Sequence, residues 1–141
     1  MNIKKNRVGI LGGSFDPAHK GHLAISKEAK KRFKLKKITW AITKKNPFKK
    51  ESDTSILNRI KQCKKIIGKL SYIKVKFYED LIKSNKTVDL INYLSRNKKN
   101  EIHFLMGADN LINFHKWHKW KTISKKSKII VFDRHGYKKK S

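Results

Sequence analysis

Short apolar runs recur along this chain with helix-period segments between them, and that alternation leaves few architectures open. Arg7-Val8-Gly9-Ile10-Leu11, Ile38-Thr39-Trp40-Ala41-Ile42, Ile102-His103-Phe104-Leu105-Met106 and Ile129-Ile130-Val131-Phe132 read as buried strands. Ile73-Lys74-Val75-Lys76-Phe77 alternates strictly, as a strand with one solvated face does. The first run meets Gly12-Gly13, read here as a tight turn. Leu23, Ile25, Ala29 and Phe33 fit an amphipathic helix over roughly residues 21–33. Ser52 to Ser55 offer caps for a helix carrying Ile56, Leu57, Ile60, Cys63, Ile66 and Ile67, stopped at Gly68. Val88, Leu90, Ile91 and Leu94 predict a helix over about 87–96; a short one through Leu111, Ile112 and Phe114 follows, then another around Trp117 to Ser124. Strands alternating with helices predict a doubly wound, Rossmann-like α/β fold: a parallel sheet of about five strands covered on both faces. No repeat and no long linker divides the chain, so residues 1–141 are expected to form one domain with a basic tail at 138–141.

In such folds ligands sit beyond the carboxyl ends of the strands. The segments after residues 11, 42, 106 and 132 should therefore converge. At 16.6 kDa the chain can bury one real core without disulfide or metal staples. Its 38% hydrophobic residues lie in clustered runs, which argues against disorder. No run approaches the ~20 apolar residues needed to cross a bilayer. The N-terminus leads into no long apolar segment, so export and membrane insertion are not expected. A lone Cys63 excludes an intramolecular disulfide, fits a reducing cytoplasm, and reads as a core residue.

The formal charge of +27 makes attraction to anions unavoidable but does not choose among nucleic acid, anionic membrane and phosphorylated metabolites. Only Arg7, Arg32, Arg59, Arg96 and Arg134 are arginines, so lysine supplies the excess. Lys, Ile and Asn all have A/T-rich codons, and composition of this kind can arise with no functional demand. Lysine also lacks the planar fork that reads bases and phosphates, which weakens the case for specific nucleic-acid binding. Nor are aromatics interleaved with arginine along any strand.

The decisive segment is Gly12-Gly13-Ser14-Phe15-Asp16-Pro17-Ala18-His19-Lys20-Gly21-His22. Two glycines let the backbone approach a phosphate, and a helix starting just downstream aims free N–H groups and its positive dipole end at the same place. This is neither the Gly-x-Gly-x-x-Gly dinucleotide fingerprint nor a P-loop. His19 and His22 are three residues apart, on one face of a first helical turn, where two imidazoles can grip one phosphoryl group. Either histidine alone reads as a turn or cap residue; the pair behind a Gly-Gly strand exit favours the anion. Zinc is a further reading, but no third soft ligand stands nearby, and no protein metal site is expected.

This segment resembles the nucleotidylyltransferase superfamily, whose His-x-Gly-His box is His19-Lys20-Gly21-His22 here. Further motifs are similar to bacterial nicotinate-nucleotide adenylyltransferase: Asn46-Pro47-Phe48-Lys49 after Trp40, the helix start Lys86-Thr87-Val88-Asp89-Leu90, and Phe104 to Leu111 followed by Phe114-His115-Lys116-Trp117. Together they span residues 7 to 137. The family's Ile-Ser-Ser-Thr-x-Ile-Arg segment has no counterpart here, so a C-terminally truncated domain is expected, and Asp133-Arg134-His135-Gly136 has His where Arg-Pro-Gly is common.

The resemblance implies adenylyl transfer from ATP to nicotinate mononucleotide with Mg²⁺ on the phosphates. It assigns His19 and His22 to catalysis on the ATP phosphates, with Gly12, Gly13, Ser14, Phe15, Gly107, Asp109 and Arg134 also binding ATP. Gly107 and Asp109 would meet the ribose. Lys44, Asn46, Thr87 and Trp117 would bind the mononucleotide: Lys44 and Asn46 its phosphate, Thr87 its carboxylate, Trp117 its pyridinium ring through a cation–π contact. Trp120 reads as core, and Asp16 as shaping the turn before Pro17. Rival readings are a pantetheine-phosphate adenylyltransferase-like enzyme, an inactive nucleotide-binding remnant, and a basic nucleic-acid module. No specific nucleic acid and no membrane partner is expected, and a homo-oligomer is left open.

Overall fold

A computed structural model describes residues 5–15, 17–44 and 55–132, with the backbone but not the side chain of Asp109. Five strands, β1 (Asn6–Gly13), β2 (Lys37–Ile42), β3 (Ile73–Lys76), β4 (Asn100–Gly107) and β5 (Lys128–Phe132), form one parallel sheet in the order β3-β2-β1-β4-β5. Between them run α1 (Lys20–Phe33), α2 (Ile56–Ile67), α3 (Glu79–Ile82), α4 (Thr87–Leu94), α5 (Ala108–Ile112) and α6 (Trp120–Lys126), with a 3₁₀ turn at Phe114–Lys116. The chain builds outward from β1 through β2 to β3, then crosses to β4 and continues to β5. Strand order therefore reverses between β1 and β4, which opens a crevice at their carboxyl ends.

Because successive strand residues face opposite sides, each buried strand feeds two cores. Leu11, Ile38, Trp40, Ile42 and Leu105 pack on one face with Ala29 of α1 and Cys63 and Ile67 of α2. Val8, Ile10, Ala41, Ile102, Phe104 and Met106 pack on the other with Val88 and Ile91 of α4 and Ile123 of α6. A Cβ at Gly9 would come within 2.9 Å of Leu35 Cδ1 and 3.2 Å of Ile38 Cγ1, so the central strand needs glycine there for close packing.

The sequence reading of Gly12-Gly13 as a tight turn is corrected by the sheet. Both are strand residues, paired in register with Ala41 and Ile42, and neither has a positive φ. The left-handed residue is Phe15, at φ 51°. Parallel pairing carries β1 two residues beyond the apolar run, because partners on β2 satisfy its backbone there. Phe77 lies just outside β3, the 87–96 helix ends at Leu94, and the helix expected from Trp117 begins at Trp120. Leu57, expected on the apolar stripe of α2, is exposed, whereas Arg59 is buried. The basic segment 45–50 lies outside the described residues, as do Ser52, Asp53, Thr54 and the 138–141 tail.

Candidate active site

The rim of the site is made where β1 gives way to α1. His19 is the N-cap of α1, with extended backbone, and its Nδ1 accepts a hydrogen bond from the Gly21 N–H at 3.1 Å. His22, three residues on, returns the favour: its Nδ1 accepts from the His19 N–H at 3.1 Å. Two histidines thus form a reciprocal capping box, a task usually left to Ser or Thr with Glu or Gln. The two rings stack with centroids 3.9 Å apart. The expectation that both sit on one face of the first helical turn is corrected in detail: His19 precedes the helix, and capping rather than helical spacing brings the imidazoles together.

The capping geometry fixes the tautomers. A neutral imidazole whose Nδ1 accepts a bond carries its proton on Nε2. Burial, reinforced by the charge His19 can carry, lowers the pKa of His22 from 6.5 to about 4. His22 is therefore neutral near pH 7 and presents Nε2–H as its donor.

Beneath the pair lies an aromatic floor. Phe15 is buried, its ring 4.4 Å from that of His22 and stacked on Trp40 at 5.1 Å. Trp40 Nε1–H donates to Ser26 Oγ at 2.8 Å, and that hydroxyl donates to the His22 carbonyl at 2.9 Å. A β2 side chain is thereby connected to the first turn of α1.

Beside this rim is a cavity of about 350 Å³. Gly12, Gly13 and Ser14 line one side and Thr87 and Trp117 also reach its wall, together with Tyr78, Glu79, Lys86 and Asn110. Trp117 is half-buried and held on edge against Phe104 and Phe114, at centroid distances of 5.9 and 5.2 Å. Trp120 packs on Phe114 away from the cavity. Thr87 opens α4. The loop before it is held by Ser84 Oγ, which accepts the Lys86 N–H at 3.0 Å and donates to the Asp89 carboxylate. Asp89 of the Lys-Thr-x-Asp motif thus shapes the loop that presents Thr87.

The cavity brings together Gly12, Gly13, Ser14, Thr87 and Trp117. His19, His22, Phe15, Lys44 and Gly107 are not on its wall. Gly107 ends β4, paired with Phe132, and caps α5 from an extended conformation. Lys44 is exposed at the end of the β2 exit, its N–H donating to Glu79 Oε1 at 3.2 Å. Asp16, Asn46, Arg134 and the Asp109 side chain lie outside the described residues. Glu79 and Arg59 escaped the sequence reading: Glu79 sits on a single-turn helix with no period, and Arg59 was hidden by its charge.

Among the described residues no three His, Cys, Asp or Glu side chains cluster as metal ligands, and no helix is long and apolar enough to cross a membrane. The model of the cytidylyltransferase-like family matches residues 10–140. A Pelagibacter ubique protein named "Probable nicotinate-nucleotide adenylyltransferase" is 68% identical over 141 residues, which is all of this chain and 78% of that protein. A solved Vibrio parahaemolyticus chain assigned as a nicotinate-nucleotide adenylyltransferase superposes with a TM-score of 0.77 at 18% identity, covering 92% of this chain and 78% of its own. The Plasmodium falciparum nicotinic acid mononucleotide adenylyltransferase complexed with NaAD does so with a TM-score of 0.71 at 19% identity, covering 91% and 75%. The last two speak for the fold alone, but the first two comparisons speak for descent: the chain belongs to the cytidylyltransferase-like family and, within it, to the nicotinate-nucleotide adenylyltransferases.

Proposed function

We propose that the chain transfers the adenylyl group of ATP to nicotinate mononucleotide, giving nicotinate adenine dinucleotide and pyrophosphate in cytoplasmic NAD synthesis. The observation that carries this reading is the placement of a capped histidine pair at the β1 exit beside a cavity walled by Gly12, Gly13 and Ser14 and by Thr87 and Trp117. It supplies an anion-binding rim and an aromatic platform at one end of the sheet.

The mononucleotide phosphate is already a nucleophile at neutral pH, so no general base is required. Its oxygen attacks the α-phosphorus of ATP in line, forming a new P–O bond as the bond from the α-phosphorus to the bridging oxygen breaks and pyrophosphate leaves. The enzyme's task is alignment and stabilisation of charge on the transferring group. His19 and His22 donate Nε2–H bonds to phosphate oxygens. Since His22 is neutral, it orients more than it neutralises, and charge compensation falls to Mg²⁺ entering with ATP and to lysines. When bound, that ion would be held by the phosphates and water and would offset their negative charge. Gly12 and Gly13 admit ATP to the strand exit beside Ser14, and Phe15 supports the rim from below. Gly107, Asp109 and Arg134 take the rest of ATP. Trp117 faces the pyridinium ring, Thr87 the nicotinate carboxylate, and Lys44 and Asn46 the mononucleotide phosphate.

Pyrophosphate release tests the reading, with ATP and Mg²⁺ supplied alongside nicotinate mononucleotide, nicotinamide mononucleotide or phosphopantetheine. Release is expected with nicotinate mononucleotide and not in its absence. Release with phosphopantetheine alone would assign a different acceptor, and none with any acceptor would leave a nucleotide-binding remnant.

A further inference from the structure

Arg59 is 2% exposed, deeper than any other charged side chain among the described residues. Burying a guanidinium costs several kcal/mol unless its N–H groups are satisfied. Three backbone carbonyls accept from it: Nη1 donates to Ser14 O at 2.9 Å and to Thr43 O at 2.8 Å, and Nη2 to Lys44 O at 2.9 Å. These carbonyls belong to two different segments, the exits of β1 and of β2. The register between the strands ends at Gly13 and Ile42, and the last backbone bond across them runs from Thr43 N–H to Gly13 O at 2.8 Å. Arg59 acts where that ladder stops.

We infer that Arg59 is a positioning residue for adenylyl transfer: from α2 it fixes the β1 exit, on the ATP side, to the β2 exit, on the mononucleotide side. The inference deepens the proposed function and rests on it for the identity of the two substrates. A planar fork can bind carbonyls on two strands at once, which an ammonium on a shorter reach cannot do with the same geometry. Lys44 is held from both directions, its carbonyl by Arg59 and its N–H by Glu79 at 3.2 Å. The separation of the two reacting phosphates is thereby set by a side chain that need touch neither, and small errors in such a separation slow transfer steeply.

The test is Arg59→Lys, which keeps the charge and most of the stem, with wild type in parallel. Amide exchange is expected to accelerate at residues 12–15 and 42–44 while β4 and β5 keep their protection. In the pyrophosphate assay kcat is expected to fall on the order of tenfold to hundredfold, with KM raised for both substrates. In Arg59→Ala, ethylguanidinium is expected to restore turnover and ethylammonium to fail. Exchange that is unchanged or raised evenly over all strands, unaltered kinetics, or failure of both variants to fold would assign Arg59 to stability alone and overturn the inference. A wild type that makes no product would sink the proposed function instead, and the exchange data would still decide whether Arg59 ties the two exits.

Discussion

His19 and His22 cap each other: the N–H of His19 meets Nδ1 of His22 at 3.1 Å, and their rings stack at 3.9 Å. One pair of residues therefore starts a helix and aims two Nε2–H donors, and suitable substitutions separate these tasks. Losing an N-cap side chain costs about 0.5–2 kcal/mol. We expect His19→Ala to lose that stability together with adenylyl transfer, and His19→Ser, a good cap without a reaching N–H, to recover the stability but not the activity. Urea unfolding and pyrophosphate release measure the two independently. Near-normal kcat in His19→Ser would remove the imidazole from the chemistry.

The lowered pKa of His22 has a signed consequence. Folding disfavours its protonation, so between the unfolded value of 6.5 and about 4 the unfolded chain binds more protons than the native one. The contribution of His22 to stability is thus full above pH 6.5 and drains away as pH falls through that window. Nitrogen-15 NMR should show the ring neutral and protonated on Nε2 from pH 5.5 upward, with a midpoint near 4. A midpoint at or above 6 would mean that the ring is neither buried nor locked by the cap.

Periodicity made most of the fold legible, because short apolar runs and helical stripes report burial directly. It failed where burial and residue type disagree. Arg59 stands at i+3 from Ile56 and i−4 from Cys63, on the inner stripe of α2, whereas Leu57 is off that stripe and 73% exposed. Spacing alone places both correctly; choosing stripe residues by type counted Leu57 and passed over Arg59. Gly12-Gly13 misled for a related reason, since glycine marks a turn only where no neighbouring strand continues to pair. At the site, each histidine alone reads in the sequence as a turn or cap residue, yet nothing in the spacing announced that the two would cap one helix reciprocally. Glu79, which holds Lys44 by its N–H, sits on a four-residue helix and left no periodic trace.

Trp117 reaches the cavity wall while two phenylalanines hold its edges. A cation–π contact with a pyridinium ring contributes about 0.5–2 kcal/mol. We expect Trp117→Ala to raise KM for the mononucleotide between about twofold and thirtyfold. ATP affinity should change little. Steady-state kinetics with each substrate varied in turn separates the outcomes: equal losses for both ligands would make Trp117 a packing residue. Trp120, which packs on Phe114, provides the control, since its truncation should cost stability before it costs mononucleotide binding.

Cys63 is fully buried, and burial pushes its thiol up to about 11 even though the Arg59 charge nearby pulls the other way. It should resist alkylation in the native state and react once urea unfolds the chain. Rapid modification at pH 8 without denaturant would show that α2 opens locally.

Ser26 gives the sharpest contrast between local preference and structure. It lies in the second turn of α1, where alanine is the better helix former by a few tenths of a kcal/mol, so propensity alone favours Ser26→Ala. The packing says the opposite. Ser26 is completely buried, and its hydroxyl is the acceptor for Trp40 Nε1–H, itself completely buried. Removing the hydroxyl leaves an indole N–H without a partner in the core, a cost of about 1–3 kcal/mol. It also removes the side-chain hydrogen bond to the His22 carbonyl, at 2.9 Å, leaving that carbonyl only its main-chain helix bond. We therefore expect Ser26→Ala to lower the unfolding free energy by that amount, read as a lower urea midpoint at unchanged m, with a modest fall in kcat as the His22 turn loosens. In a double-mutant cycle with Trp40→Phe, the second substitution should recover part of the loss, because the orphaned donor is gone. Strict additivity would show that the bond from β2 to α1 contributes nothing to holding the histidine.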